Sequence, residues 1–131
     1  DRYSRILLCE RVPNKESGTV RRAVVRLLTR SGLPVRSVTF DQGTEFAESE
    51  QMEKDLGIDV FYAHPRSPWE RPTNENTNGL IRQFVPKRSK VSALTEDDIS
   101  RFIAALNFRP RKCLGWKTPY EVAFNEVLHL T

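Results

Sequence analysis

The sequence has few of the residues that build metal-based or covalently linked scaffolds. Its 131 residues include only two cysteines, Cys9 and Cys113, and two histidines, His64 and His129. The cysteines stand far apart without a C-x-x-C pair, and the histidines do not have metal-ligand spacing to each other. This pattern argues against a zinc site or a disulfide framework, and it fits a reducing cytoplasm. We therefore interpret both histidines as structural or incidental.

Long apolar runs are also missing. No stretch of about 18 apolar residues occurs, which argues against a membrane-spanning helix. The first residues, D-R-Y-S-R, do not resemble a signal peptide and include no initiating Met, so we expect a fragment of a longer protein. With 38% hydrophobic and 29% charged residues, the composition is typical of a globular protein, and the length indicates one domain with a modest core.

Charge is distributed unevenly along the chain, whose net charge is +4. Residues 41–59 contain seven acids and one base, whereas 82–90 contain four bases and 101–117 contain five, both without acids. A basic run is often only a solvated face; the functional alternative is a surface that follows nucleic-acid phosphates. Four aromatic residues in or beside these runs belong either to the core or to a base-stacking surface: Trp69, Phe84, Phe108 and Trp116.

Hydrophobic periodicity and turn residues predict alternating strands and helices. We expect strands over residues 5–12, 35–40 and 58–62. The predicted helices begin near Asn14 or Ser17 (ending at Gly32), near residue 48 (ending at Gly57), at Thr73-Asn74, at Thr95 and after Thr118-Pro119. The strand over 35–40 has apolar residues on both faces, as in a parallel sheet covered on both sides. The pattern indicates an α/β fold.

Two carboxylates stand at positions where chemistry is common. Asp41 follows the predicted strand 35–40 in a D-Q-G turn, and Glu75 lies in the first turn of a predicted helix. Each also has a purely structural interpretation, as a turn residue or a helix-dipole partner. In open α/β sheets, ligands bind at the carboxyl ends of strands, and paired carboxylates in basic surroundings suggest Mg²⁺ or Mn²⁺ acting on phosphodiesters. Asn78 and Arg82 follow Glu75 on the same helix face, with Arg82 placed like a phosphate-binding group.

Three segments closely resemble the DDE transposases of the insertion-sequence-thirty family, which are relatives of retroviral integrases. They are T-F-D-Q-G-T-E-F at 39–46, S-P-W-E-R-P-T-N-E-N-T-N-G-L-I-R-Q-F-V-P-K at 67–87 and N-F-R-P-R-K-C-L-G-W-K-T-P-Y-E-V at 107–122. The resemblance covers essentially the whole chain. It implies an RNase H-like, integrase-type catalytic core, a mixed sheet flanked by helices, with about 1–90 as the core and 91–131 as a C-terminal helix and basic arm.

The resemblance also implies an activity: nicking at transposon ends followed by strand transfer into target DNA. It implies that Asp41 and Glu75 are catalytic metal ligands, with two Mg²⁺ or Mn²⁺ ions in a complete active site. The implied partners are DNA and further copies of the chain, in the cytoplasm of a bacterium at its nucleoid. The residues expected to bind DNA are Arg82, Lys87, Arg88, Arg109, Arg111, Lys112 and Trp69, supported by Asn74 and Asn78.

Two departures from the family pattern modify these expectations. The family's first catalytic Asp lies upstream of a position matching Asp1, so we expect this chain to lack its first strands and one of three metal ligands. Such a fragment would be inactive alone and would expose a sheet edge that favours homo-oligomers. Pro72 replaces a Gly of many relatives, which is expected to stiffen the loop before Glu75. The alternative function is a non-catalytic DNA-binding or assembly module from a decayed element.

Overall fold

The computed structural model describes residues 1–41, 43, 48–70 and 72–129, with side chains described as far as Asn125. The chain divides into two compact units. We call residues 10–71 the sheet unit, and residues 1–9 together with the chain from Pro72 onward the helical unit. None of the helices in the described ranges combines the length and apolarity needed to cross a bilayer.

The sheet unit is built around two parallel strands. Helix α1 spans Ser17–Ser31, strand β1 Ser37–Phe40, helix α2 Ser49–Leu56 and strand β2 Asp59–Tyr62, followed by a 3₁₀ turn at Pro68–Glu70. The register pairs Ser37 with Asp59 and Phe40 with Tyr62. The parallel pairing predicted for residues 35–40 is confirmed, and because the strands are parallel, both end at the same edge of the sheet. The predicted covering of both faces is wrong, because Ser37 and Thr39 are exposed and only the face of Val38 and Phe40 is covered.

The ends of α1 and α2 follow local sequence signals only in part. Gly32 and Gly57 adopt left-handed backbone angles, with φ of 66° and 62°, and end the two helices as predicted. The predicted caps of α1 are wrong, because the N-cap position is Glu16. Asn14 instead accepts a hydrogen bond from the Glu16 backbone N–H at 3.1 Å, and the Ser17 hydroxyl donates to Glu48 at 3.4 Å.

The helical unit contains helices α3 at Pro72–Ile81, α4 at Glu96–Asn107 and α5 at Pro119–His129, with 3₁₀ turns at Val91–Ala93 and Lys112–Leu114. Its core is formed by Val85, Ile99 and Phe102. The predicted start of α4 is confirmed. Thr95 accepts from the Asp98 backbone N–H, and Asp98 accepts from the Thr95 N–H, which completes a capping box.

The predicted strand over residues 5–12 is wrong, because these residues form no ladder with a neighbouring strand. The backbone of Leu7 is held by a side chain instead. Its N–H donates to Asn107 Oδ1 at 2.8 Å, and its carbonyl accepts from Asn107 Nδ2 at 2.9 Å. Asn107 is buried at the end of α4. One amide side chain therefore satisfies the polar groups that a partner strand would otherwise have paired.

Candidate active site and nucleic-acid interface

Asp41 directly follows β1, at the edge where both parallel strands of the sheet unit end. Its side chain is exposed, and Oδ1 accepts a hydrogen bond from the Gly43 backbone N–H at 3.3 Å. This bond is the local turn that the D-Q-G sequence predicted. The rest of the D-Q-G-T-E-F motif beyond Asp41 and Gly43 lies outside the described residues. Asp41 is thus placed where open α/β sheets bind ligands.

The loop after β2 starts at the same sheet edge. The Ala63 N–H donates to the Phe40 carbonyl at 2.8 Å. Glu70 then closes the loop, since Oε2 accepts from the His64 N–H and Oε1 lies beside His64 Nδ1, both at 2.8 Å. These bonds lower the pKa of the Glu70 carboxyl, the backbone bond more than the ring bond. Trp69, within the closed loop, is 72% exposed.

Sequence reasoning missed the partnership of His64 and Glu70. The interpretation of His64 as structural is consistent with its place in the loop, but nothing in the residue pattern named its partner. Two residues six positions apart across a Pro-containing loop form no recognised motif, so the pairing follows only from the path of the chain. The side chain of His129 lies outside those described.

Glu75 lies in the first turn of α3, in the helical unit. The helix begins at Pro72, which fits the first helical position because that N–H has no helical partner. The predicted N-cap at Thr73-Asn74 is therefore wrong. Thr73 is buried inside the helix, and its hydroxyl accepts from the Arg5 guanidinium. Glu75 is exposed and forms no hydrogen bond or ion pair within the described residues, and the helix dipole stabilises its carboxylate.

Asn78 and Arg82 continue from Glu75 along the chain at helical spacing. Although α3 ends at Ile81, the Arg82 N–H still donates to the Asn78 carbonyl at 3.0 Å. The Arg82 guanidinium turns back toward the Val85 carbonyl, 3.5 Å away, and the residue remains exposed. Asn74 and Asn78 are also exposed. Glu75 and Asn78 therefore lie about one turn apart in α3, whereas Arg82 follows just beyond the end of the helix.

The two basic runs of the sequence meet within the helical unit. Arg109 donates from Nη1 to Gln83 Oε1 at 3.3 Å, and Phe84 stacks on Phe102 with ring centroids 6.1 Å apart. Lys87 and Arg88 are exposed just beyond this contact. The segments 82–90 and 101–117, distant in sequence, therefore share one region of the surface, as a phosphate-binding face requires.

Arg111 and Lys112 differ in their surroundings although both were expected to bind DNA. Arg111 is half-buried and donates from Nη2 to the Leu106 carbonyl at 3.4 Å, while its buried Nε has no hydrogen-bond partner among the described residues. Burial, aided by nearby Arg109, lowers the pKa of Arg111. Lys112 is exposed. Lys112 is consequently accessible to a phosphate, whereas Arg111 also supports its own loop.

A divalent cation fits the donor chemistry of Asp41 and Glu75, because both present exposed carboxylate oxygens, which Mg²⁺ prefers. Across the described ranges, no three His, Cys, Asp or Glu side chains group together as a metal site would need. Asp1 forms local hydrogen bonds: Oδ2 accepts from the Ser4 N–H at 2.8 Å and from its hydroxyl at 2.7 Å. The two predicted ligands alone therefore form an incomplete set.

The resemblance to transposases is confirmed by curated proteins. The chain is 40% identical over 123 residues to transposase InsI for insertion sequence element IS30A of Escherichia coli K12, covering 93% of this chain and 32% of that protein. It is 36% identical over 129 residues to the IS4351 transposase of Bacteroides fragilis, covering 98% and 39%. The IS1086 transposase of Cupriavidus metallidurans is 35% identical, covering 93% and 36%. The chain thus spans about a third of these relatives, and no family model matches it.

Solved structures confirm the predicted fold class. The catalytic core domain of BIV integrase matches with a TM-score of 0.73 and 22% identity, covering 97% of this chain and 83% of that domain. A simian T-cell lymphotropic virus intasome matches with a TM-score of 0.65 and 20% identity, covering 84% and 41%. At this identity the likeness concerns the fold, which is the RNase H-like integrase catalytic core.

Proposed function

We propose that this chain is part of the catalytic core of a DNA transposase, which nicks DNA at transposon ends and joins the released strand to target DNA. One observation carries the proposal. In a chain 40% identical to a transposase, Glu75 stands exposed in the first turn of α3, followed at helical spacing by Asn78 and Arg82. A carboxylate and a basic group arranged in this way suit a phosphodiester substrate.

Asp41 and Glu75 are the proposed ligands of Mg²⁺ or Mn²⁺, with two ions in a complete site. Their exposed, acceptor-only oxygens support this role, and the resemblance supplies the expectation of a third carboxylate. The chemistry that such ions supply when bound is activation of the attacking oxygen and stabilisation of the leaving one.

DNA would be held by the basic residues of the helical unit. Lys87, Arg88, Arg109 and Lys112 are exposed there, and Arg109 joins the two basic runs through Gln83. Contacts of this kind bind phosphates without reading sequence, so affinity would fall steeply as salt rises. Trp69, exposed in the sheet unit, is the proposed aromatic contact.

Further copies of the chain are the other proposed partner. Phe61 and Tyr62 of β2 are 55% and 39% exposed, which supports self-association through the sheet. We place the protein in the bacterial cytoplasm, where its DNA substrate lies. A non-catalytic module from a decayed element is not favoured, because the similar curated proteins are transposases.

The test is strand joining on a labelled oligonucleotide that carries the element's end, in the presence of Mn²⁺. The protein would be the transposase that contains this chain together with its native upstream residues. Glu75→Gln should lower joining at least a hundredfold, because it removes a charged ligand while keeping the side-chain shape. Glu50→Gln is the matched control, since Glu50 is an exposed carboxylate in the first turn of α2. Joining at the normal rate by a folded Glu75→Gln protein would refute the proposal.

A further inference from the structure

A short loop of the helical unit displays a tryptophan in an unusual way. We call residues 111–117 the Trp116 loop. The Arg111 N–H donates to the Lys117 carbonyl at 3.0 Å, and the Arg111 carbonyl accepts from the N–H groups of Leu114 and Trp116 at 3.0 and 2.9 Å. Just outside the loop, the rings of Phe108 and Tyr120 pack with centroids 4.7 Å apart. The loop is thus closed by its own backbone and anchored on both sides.

The backbone of Trp116 is strained for a residue with a large side chain. Its φ is 65°, directly after Gly115 at 62°, so two successive residues lie in the left-handed region. That region is costly for bulky residues, and such strain persists mainly where the position serves a function. Glycine would fit position 116 without strain, so the presence of tryptophan calls for another reason.

Packing of the Trp116 side chain against the fold does not explain why a tryptophan occupies this position. The Trp116 residue is 68% exposed, and within the described residues its ring makes no ring contact and its indole N–H no hydrogen bond. An aromatic side chain that is mostly exposed contributes little to the packing of the fold. The ring is therefore available to a ligand from outside the chain.

The surroundings of the ring are cationic. Lys112 and Lys117 within the loop are exposed, as is Arg109 just before it, and residues 101–117 contain no acid. The next acid along the chain, Glu121, accepts a hydrogen bond from the Thr118 N–H at 3.3 Å as part of the cap of α5. A flat aromatic face beside exposed cations matches a nucleobase and its adjoining phosphates.

We propose that Trp116 is a stacking site for an unpaired DNA base, with Lys112 and Lys117 holding the flanking phosphates. The choice of DNA as ligand rests on the proposed function. The site is specific for unpaired bases, because a base inside a duplex offers no free face to a ring on a loop. Such bases occur at a nicked or frayed strand end.

The test measures binding of the chain to two labelled duplexes by fluorescence anisotropy. The duplexes are identical except that one carries a short single-stranded overhang. The chain should bind the overhang duplex about tenfold more tightly than the blunt one, the size expected for one stacked base. Trp116→Gly should abolish that preference and change blunt-duplex affinity less than twofold. Glycine tolerates the left-handed backbone, so the loop is preserved, and Trp116→Phe, which keeps a ring, should retain most of the preference.

Each other result has a definite meaning. DNA binding without overhang preference, or a preference that survives Trp116→Gly, would overturn the stacking site and leave the proposed function standing. Absence of salt-dependent DNA binding by the folded chain would count against the proposed function as well. A lower urea midpoint for Trp116→Gly would mean that the ring is structural. Weaker self-association of that variant in sedimentation, with DNA binding unchanged, would assign the ring to a protein interface instead.

Discussion

The two units of the chain use their basic residues differently. In the sheet unit, Arg21 lies 2.7 Å from Glu48 and 2.5 Å from Asp55, and Arg26 pairs with Glu10. In the helical unit, no basic side chain among those described lies within ion-pair distance of a carboxylate. Net charge alone does not show whether basic side chains are paired with carboxylates. The comparison teaches that Arg21 joins α1 to α2, whereas most basic side chains of the helical unit, such as Lys87 and Lys112, are exposed to solvent.

The units also differ in how they satisfy their backbone. The sheet unit pairs β1 with β2 along a regular parallel ladder. In the described part of the helical unit, the segment before residue 10 is held instead by the buried Asn107 amide. A ladder spreads its bonds over many residues, but a single amide concentrates them in one side chain. The helical unit should therefore be the more sensitive of the two to one substitution.

Asn107→Ala provides the strongest test of this contrast. It leaves the Leu7 N–H and carbonyl without their partner in a part-buried position, which should cost about 3 kcal/mol of unfolding free energy. Urea denaturation measures the loss. Asn125→Ala, at an exposed position of α5, is the control and should cost far less. Equal effects of the two substitutions would show that the Asn107 bonds contribute little.

A pair of charge deletions tests the difference between the basic residues directly. Lys112→Ala should weaken DNA binding several-fold and reduce the slope of log affinity against log salt by about 1, because one phosphate contact is lost. Its urea midpoint should not change. Arg21→Ala should behave in the opposite way, with a lower urea midpoint and unchanged DNA affinity, since Arg21 already serves two carboxylates. If Arg21→Ala weakened DNA binding as much as Lys112→Ala, the contrast would be wrong.

The smallest expected effect concerns acid stability. Hydrogen bonds from the His64 N–H and ring hold the pKa of Glu70 below its ordinary 4.5, so the ionised carboxylate stabilises the folded state. This contribution is present above pH 4.5 and is lost as pH falls through the lowered pKa. Glu70→Gln should accordingly lower the urea midpoint near neutral pH and converge with the unmodified chain in acid.

Asp98 in the helical unit provides a comparison for that experiment. The Thr95 N–H and hydroxyl lower its pKa below 3.8, so Asp98→Asn should lower the urea midpoint near neutral pH and converge with the unmodified chain as pH falls through the lowered pKa of Asp98. If the urea midpoint of either variant differed from that of the unmodified chain by the same amount at every pH, the carboxylate would not be the group being titrated.

Local signals predicted those parts of the fold that depend on neighbouring residues. Gly32 and Gly57 end their helices, Thr95 and Asp98 cap α4, and the strands around Phe40 and Phe61 lie within two residues of their predicted bounds. Each signal acts over at most one helical turn or a few strand residues, so it is visible in a short window. The start of α3 at Pro72 shows the limit, because Thr73-Asn74 offers an equally good cap that the packed helix does not use.

Local sequence signals also predicted only part of the candidate site. The sequence predicted Asp41 at a strand end and Glu75 in a first helical turn, and the structure places both there. The strained backbone of Trp116 was not predicted, although the preceding Gly115 marks a turn. The contacts of Arg109 with Gln83 and of His64 with Glu70 were not predicted either, because side chains that meet across a loop leave no periodic pattern in the sequence.

The sequence by itself determined the order of helices α1 to α5 and strands β1 and β2, the positions of the two carboxylates Asp41 and Glu75, and the resemblance to IS30-type transposases. Tertiary structure alone decided which charged side chains form ion pairs and which backbone groups form hydrogen bonds with distant side chains. Arg21 meets carboxylates 27 and 34 positions away, and Leu7 meets an amide 100 positions away. Such pairings follow from how the chain packs and not from local propensity. They decide which basic residues stabilise the fold and which remain exposed at the surface.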